Sequence, residues 1–432
     1  QPSYSPDLYE KKETFRLVSI DPIKDLQDLY INFALPATRQ YYESKPGRIL
    51  GFILGHEGKG SLLSYLKSRG WAISLSAGAG SSTVDYGWAN IHIELTPKGV
   101  KEYKKVIETS YSFIKLMREK GYQSFVFNEL KTMAALDEIY SDKGEGAWRA
   151  VSLANELSRY PMEDAGRSNY IYRKESVEAY QKILSLLTPD NMACVLMAKG
   201  VKTDKTEHFY QANYAYTEDK DFYIKLLNTE ILDDFQLPGP NHFIPKKASI
   251  PKRELKEDVL PELVLEDKGI RLYFGQDHEF LRPKGVINYK IRFPENKMNL
   301  DHRVKMSFYV DCVGESLNEL AYPAQGAGLR YRIDDGYEGI YLSVGGYSES
   351  ALVLYKEVVN HMVNFQINEE QFEGLKNNIV RDYQNFPLSD AWRIGRERNS
   401  EIMQNIRYSQ SDMLKKAETI SLSDIKSFSK TL

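Results

Sequence analysis

The clearest regularity along the chain is at Trp88–Leu95 (WANIHIEL). Ala89, Ile91, Ile93 and Leu95 fall on one face of an extended backbone, and Asn90, His92 and Glu94 on the other. A period of two also marks Leu29–Leu35 (LYINFAL) and Val286–Phe293 (VINYKIRF). Shorter apolar runs at Thr14–Ile20, Met192–Ala198, Gly269–Phe274 and Gly339–Val344 predict further strands. Between the strands the spacing changes to three and four. Ser61–Arg69 predicts a helix that faces inward through Leu62, Leu63 and Leu66. Thr96-Pro97 caps a long helix with proline in its first turn, and Val106, Ile107, Tyr111, Ile114 and Met117 line its apolar face. Gly121 ends it and Ser124–Ala135 starts the next; Asp301–Leu320 predicts another, with Val304, Phe308, Cys312, Val313 and Leu317 inward.

The stretch Gly55–Ala79 stands apart. Arg39–Gly51, interrupted at Pro46-Gly47, leads into a glycine-rich turn (Gly55, Gly58, Gly60). After the Ser61–Arg69 helix, Gly70 supplies a stop, Trp71–Leu75 reads as a strand, and Ser76–Ser82 is a second patch of small residues. From the pattern alone this is a pair of tight turns around a short helix. The end of the Asp301–Leu320 segment, GESLNELAYPAQGAGLRYRI, echoes GKGSLLSYLKSRGWAISL, and GIYLSV echoes NIHIEL. The two halves therefore read as diverged copies of one α+β unit, a mainly antiparallel sheet with helices on one face. The proline-rich, weakly periodic run from Leu237 separates them as an extended linker. The expected division is residues 1–236, a linker at 237–262, and residues 263–432.

Composition narrows the function. At 432 residues the chain exceeds one ordinary core, and no apolar run nears the ~18 residues of a membrane span. A net charge of −3 without basic clusters argues against a nucleic-acid surface. Thirty tyrosines suit a surface that grips peptides through apolar rings with polar tips. Cys194 and Cys312 lie in apolar runs in different halves, which reads as packing and not as a disulfide. No two histidines have the i, i+3 or i+4 spacing of a helical metal site; His56-Glu57 and His278-Glu279 are lone pairs that read as solvated turns. No G-x-S-x-G elbow or phosphate loop is present, and the acidic pairs Asp334-Asp335 and Glu369-Glu370 read as exposed charges. The residues show a binding surface and no catalytic centre.

Longer motifs carry a family resemblance. Gly55-His-Glu-Gly-Lys-Gly-Ser-Leu-Leu63, Lys67-Ser-Arg-Gly-Trp71, Glu94-Leu-Thr-Pro-Lys-Gly99, Phe127-Asn-Glu-Leu-Lys131, Leu187-Thr-Pro-Asp-Asn191, Ser316-Leu-Asn-Glu-Leu-Ala-Tyr322 and Gly339-Ile-Tyr-Leu-Ser-Val344 occur in order. In these the chain resembles the insulin-degrading enzyme and pitrilysin branch of the inverzincin (M16) metallopeptidases, over their second and third domains. The resemblance implies two tandem M16-type α+β domains within a zinc endopeptidase that encloses peptides in a chamber. The H-x-x-E-H zinc motif belongs to the family's first domain and is absent from this sequence. It follows that this segment has no catalytic residue and no metal ligand, and that zinc sits elsewhere in a parent protein. The resemblance further implies an exosite that holds a substrate N-terminus by strand addition. The matching positions are Gly51, Ile53, Gly55 and Glu57 on the first turn, with Leu75, Ser76, Ala77, Gly78 and Ala79 on an edge strand, and Glu57 as partner of the α-amino group. Implied partners are peptide substrates and either the missing first and fourth domains or a separate catalytic chain. A non-catalytic peptide-binding homologue is the other reading. The start at Gln1 without methionine reads as an excised or processed piece, and the periplasm enters only as the compartment of many bacterial family members.

Overall fold

The computed structural model describes residues 12–141, 144–250, 260–277 and 280–432. The first half opens with strands Phe15–Asp21 (β1) and Gln27–Pro36 (β2), then helices Pro46–Leu54 (α1) and Leu62–Ser68 (α2). The hairpin Ala72–Ser81 (β3) and Tyr86–Leu95 (β4) follows, and then Pro97–Lys101 (α3), Tyr103–Lys120 (α4), Ser124–Tyr140 (α5), Gly146–Leu157 (α6) and Val177–Ser185 (α7). Met192–Ala198 (β5), Lys205–Thr206 (β6), Asn213–Asp219 (β7) and Lys220–Leu227 (α8) complete this half. The seven strands form one sheet in the order β3-β4-β2-β5-β1-β7-β6, antiparallel except for the parallel β1–β5 pair. Alternation decides which face is covered. Leu29, Ile31, Phe33, Ile91 and Ile93 are at most 1% exposed and pack with Ile49, Ile53, Leu66, Ile107 and Phe113 from the helices.

The second half contains Glu262–Asp267 (β8), Ile270–Phe274 (β9), Lys284–Arg292 (β10), Leu300–Ser316 (α9) and Asn318–Gly326 (α10). Arg330–Gly336 (β11) and Gly339–Tyr347 (β12) form its hairpin, followed by Ser348–Asn364 (α11), Glu369–Asn385 (α12), Ala391–Met403 (α13), Gln410–Ala417 (α14) and Leu422–Ser429 (α15). The strands β10-β12-β11 make an antiparallel sheet over a second core that includes Val304, Phe308, Cys312, Ile340, Val344 and Leu354. β8 and β9 pair only with each other among the described residues, and all their residues are exposed. The expected repeat is visible as topology. β2-α1-α2-β3-β4 and β10-α9-α10-β11-β12 run in the same order, and in each the last strand sits between the other two.

Several local expectations are corrected. Pro46-Gly47 starts α1 instead of breaking the chain, because proline at the first helical position loses only an N–H that has no helical partner. Gly51 and Ile53 therefore lie inside a helix, not on a turn. The long helix after Pro97 bends at Glu102 into α3 and α4, and the one after Asp301 divides at Leu317 into α9 and α10. The small-residue patch after Leu75 is no turn: β3 continues unbroken to Ser81.

The halves meet through specific contacts. Lys67 Nζ and Glu315 Oε2 are 2.8 Å apart with side chains 11% and 9% exposed. Arg381 reaches Glu94 at 2.6 Å, and the Tyr322 hydroxyl donates to the Phe52 carbonyl at 3.0 Å. The connecting run is pinned at Asn241, whose backbone N–H donates to Glu129 and whose Nδ2 donates to the Pro323 carbonyl. Two residues on, Phe243 is 1% exposed in the second core. Residues 251–259 of the proposed linker lie outside the described residues, as do His278 and Glu279.

Candidate functional site

β3 is an outer strand: it pairs with β4 on one side, and no strand is paired to its other side among the described residues. An edge of this kind presents main-chain donors and acceptors to any extended segment of suitable shape. Its side chains are minimal, Ser76, Ala77, Gly78, Ala79, Gly80 and Ser81. Leu75 is an exception, buried at 6% exposure, so only its backbone lies at the edge.

The position of the edge is set from behind by α1. Gly47, Gly51 and Gly55 recur every four residues and form one stripe of that helix and its cap. A Cβ on Gly47 would lie 2.4 Å from the Ala79 carbonyl oxygen, and one on Gly51 3.2 Å from Gly78 Cα. A Cβ on Gly55 would meet the Ala77 nitrogen at 3.5 Å. Helix and strand thus meet backbone to backbone, which accounts for glycine at 47 and 51 without a ligand. Ile53 is fully buried in the first core, so its side chain cannot touch a ligand at the edge. The spacing of Gly47, Gly51 and Gly55 was the available signal for this packing, and the Pro46-Gly47 pair obscured it.

His56 and Glu57 follow the helix cap and separate in role. His56 is 8% exposed, its Nδ1 accepts the Gly58 N–H at 2.9 Å, and its ring packs edge-on against Tyr322, 4.9 Å between centroids. Burial depresses its pKa to about 4, so the imidazole is neutral and part of the joint between the halves. Glu57 is half-buried, and among the described residues its carboxylate has no hydrogen-bond or ion-pair partner. Burial raises its pKa; Lys67 opposes this and Glu315 adds to it. Lys67 itself pairs with Glu315. Tyr331, on β11, feels the Glu57 charge as well: burial first, then Glu57 and Glu315, push its phenol up to about 12. The site so built is a strand edge of small residues, with a half-buried carboxylate that has no hydrogen-bond or ion-pair partner among the described residues, and with Tyr322 and Tyr331 of the second half near that carboxylate. It offers main-chain pairing and one ammonium-binding group.

Neither cysteine contributes. Cys194 and Cys312 are buried, and burial raises both thiols, Cys312 to about 12. His92 lies on the open face of the sheet, 2.9 Å from Asp28 and stacked on Tyr30. Among the described residues, no three His, Cys, Asp or Glu side chains converge as metal ligands would, so a zinc ion has no donor set in them. No helix of the described residues is long and apolar enough to cross a membrane.

Comparison with known proteins places this architecture. The chain is 30% identical over 430 residues to the insulin-degrading enzyme of Bos taurus, covering 99% of this chain and 42% of that protein. It is 26% identical over 387 residues to the A-factor-processing enzyme of Saccharomyces cerevisiae, covering 89% of this chain and 38% of the relative. The crystal structure of pitrilysin superposes with a TM-score of 0.68 at 21% identity, over 100% of this chain and 46% of that one, and shares its fold. The chain thus spans less than half the length of each. Residues 1–134 match the model of the peptidase M16 inactive domain, and residues 139–416 that of the middle or third domain of peptidase M16. With two consecutive M16 models covering nearly all of its length, the chain belongs to the M16 peptidase family, over its inactive and middle domains.

Proposed function

We propose that this chain is the central segment of a zinc metalloendopeptidase that degrades peptides inside a closed chamber. In this reading the segment supplies part of the chamber wall and holds the substrate N-terminus, while zinc and its H-x-x-E-H ligands lie in a further domain. Residues 1–236 form the exosite-bearing unit, 237–262 the linker and 263–432 a scaffold unit. The observation that carries the reading is the edge of β3, to which no strand is paired among the described residues, together with the Glu57 carboxylate, which has no hydrogen-bond or ion-pair partner among them. A peptide strand added there gains main-chain hydrogen bonds that demand little of its sequence. Its α-amino group then meets Glu57, a charge-assisted contact that selects a free N-terminus. Ala77, Gly78 and Ala79 keep side chains out of the way of the approaching backbone.

The testing experiment is binding of matched free and N-acetylated ten-residue peptides to the chain, by fluorescence anisotropy. Tighter binding of the free peptide, lost in Glu57→Gln, supports the site; equal binding of both to the unaltered chain overturns it. A non-catalytic peptide-binding subunit is the second reading, favoured by the match to the inactive-domain model. Mixing the chain with an M16 domain that carries H-x-x-E-H separates the two: restored peptide hydrolysis favours the protease segment, and binding without hydrolysis the subunit.

A further inference from the structure

The second sheet stops where the first goes on. The echo of NIHIEL by GIYLSV equates Ile91 with Ile340 and Ile93 with Leu342. The strand registers then equate their partners, Ile31 with Ile291 and Leu29 with Tyr289. Leu29 and Ile31 are at most 1% exposed, and β5, paired along the far side of β2, sets Leu196 and Cys194 opposite them. Tyr289 shares a face with the buried Leu342, yet it is 43% exposed, and Ile287 and Ile291 are only partly buried. No strand is paired to that side of β10 among the described residues. The neighbouring elements match as well. β1, which precedes β2 and lies parallel to β5, buries Phe15 and Leu17; β9, which precedes β10, leaves Ile270, Leu272 and Phe274 about half exposed. α7 packs on α1 and leads into β5. α15 packs on α9, with Phe428 against His302 and Tyr309, and no strand follows it among the described residues.

We infer that the outer side of β10 is an assembly edge for one further strand of the parent protein, the counterpart of β5, which follows α15 in sequence and runs antiparallel to β10 and parallel to β9. The inference rests on the reading of the chain as a segment of a longer protein. The register gives the chemistry of this strand. β5 sets Met192, Cys194 and Leu196 opposite Phe33, Ile31 and Leu29. The added strand therefore carries apolar residues at three alternate positions, opposite Phe293, Ile291 and Tyr289. A slip of one residue would turn all three to the open face, so the pairing has one favoured register. β9 closes the far side, and its alternate residues Ile270, Leu272 and Phe274 gain the cover that Phe15 and Leu17 have on β1. Residues 1–11 and 251–259 do not suit this place. The first run holds two prolines and the second six charges, and a strand paired on both sides tolerates neither. The edges of β3 and β10 thus differ in kind: the first demands little of a sequence, and the second demands a fixed apolar triad.

The test compares hydrogen exchange in β10, read by mass spectrometry, between this chain and the chain extended through the first alternating apolar run that its gene encodes after Leu432. Alternate β10 amides, those turned away from β12, are expected to slow about a hundredfold in the extended chain, while the amides facing β12 keep their rates. Serine at the three alternate apolar positions of the added strand should restore fast exchange. Where the extended chain is insoluble, the same run supplied as a peptide should protect the same amides. The inference is overturned if β10 exchanges alike with and without the added strand. It is also overturned if protection in the unextended chain rises with concentration, which makes a second copy the occupant. A gene that stops at Leu432 overturns it together with the reading of a longer protein. Failure of the exosite reading is distinguishable. Loss of the Glu57 effect with β10 protected strikes the exosite alone, and fast β10 exchange with the Glu57 effect intact strikes this inference alone.

Discussion

The two halves of this chain build the same β-α-α-β-β unit and furnish its outer strand differently. In the first, the outer strand β3 carries alanine, glycine and serine, and α1 lies against it through a glycine stripe. In the second, the corresponding strand β11 reads Arg330, Tyr331, Arg332, Ile333, Asp334, Asp335, and α9 packs with Val304, Phe308 and Cys312. The flanking strands differ too. β2 is paired on both sides, by β4 and β5, whereas β10 pairs only with β12 among the described residues. One topology therefore serves as an accessible backbone edge where side chains have been pared away, and as a side-chain scaffold where they have not. The difference between the two units lies in residue size at an edge, not in the fold.

The largest expected effect concerns the joint between the units. Glu315→Ala leaves Lys67 without its partner at a site about one-tenth exposed, and should cost about 3 kcal/mol. Urea unfolding followed by probes in each half checks this, and an unchanged midpoint would mean that the pair is solvated. Next is the contrast between equivalent helices. Gly47→Ala places a methyl 2.4 Å from the Ala79 carbonyl, so its packing penalty of about 2 kcal/mol should exceed the ~1 kcal/mol that alanine gains in a helix. In α9, Gly314→Ala meets nothing within 4 Å and should be stabilising by up to about 1 kcal/mol. The same sign for both variants would erase the distinction drawn between the two helices.

A smaller effect is expected at Glu57. Replacement by glutamine should weaken free-N-terminus peptides about tenfold and leave acetylated ones unchanged. Because burial raises the Glu57 pKa and an ammonium ligand requires the ionised form, peptide affinity of the unaltered chain should fall as pH drops through that raised value. Titration of binding at fixed ionic strength gives the sign.

A further contrast separates the halves by the slope of stability against pH. His56 has its folded pKa depressed to about 4, below the ~6.5 of an exposed imidazole. The unfolded chain therefore takes up the proton first, and stability falls as pH drops from about 6.5 towards 4. Asp311 on α9 is displaced the other way. Burial, then Asp335 and Asp382, push its carboxyl up to about 7, so its ionisation opposes folding and stability falls as pH rises from about 4 to 7. His56→Phe should flatten the acid limb of the melting temperature, and Asp311→Asn the neutral limb. A variant that flattens the other limb would reverse the assignment.

Much of the fold was legible because its strands alternate cleanly. WANIHIEL sets Ala89, Ile91, Ile93 and Leu95 inward, and MACVLMA coincides with β5. The repeat was legible as well, since Ser-Leu pairs and glycines recur at the same place in both units. Two features at the site were not. α1 was hidden because three of its nine residues are Pro46, Gly47 and Gly51, poor helix formers whose use here is a proline start and backbone contact. The outer part of β3 was hidden because alanine, glycine and serine carry no alternation; its extended form comes from pairing with β4 and from α1 behind it. In both, tertiary contact overrode local propensity. The pairing of Lys67 with Glu315 and not with Glu57 joins residues 248 positions apart and has no local signature.

The exposed β8–β9 hairpin has a consequence for handling the protein. Val264, Leu265, Leu272, Tyr273 and Phe274 are each about half exposed, close in sequence to β10, whose outer side has no paired strand among the described residues. Sticky apolar strands near an unsatisfied strand edge form a template for self-association. Light scattering of this chain should therefore rise with concentration, and a lysine at Val264 or Leu272 would be the conservative way to keep it monodisperse for crystallisation or NMR.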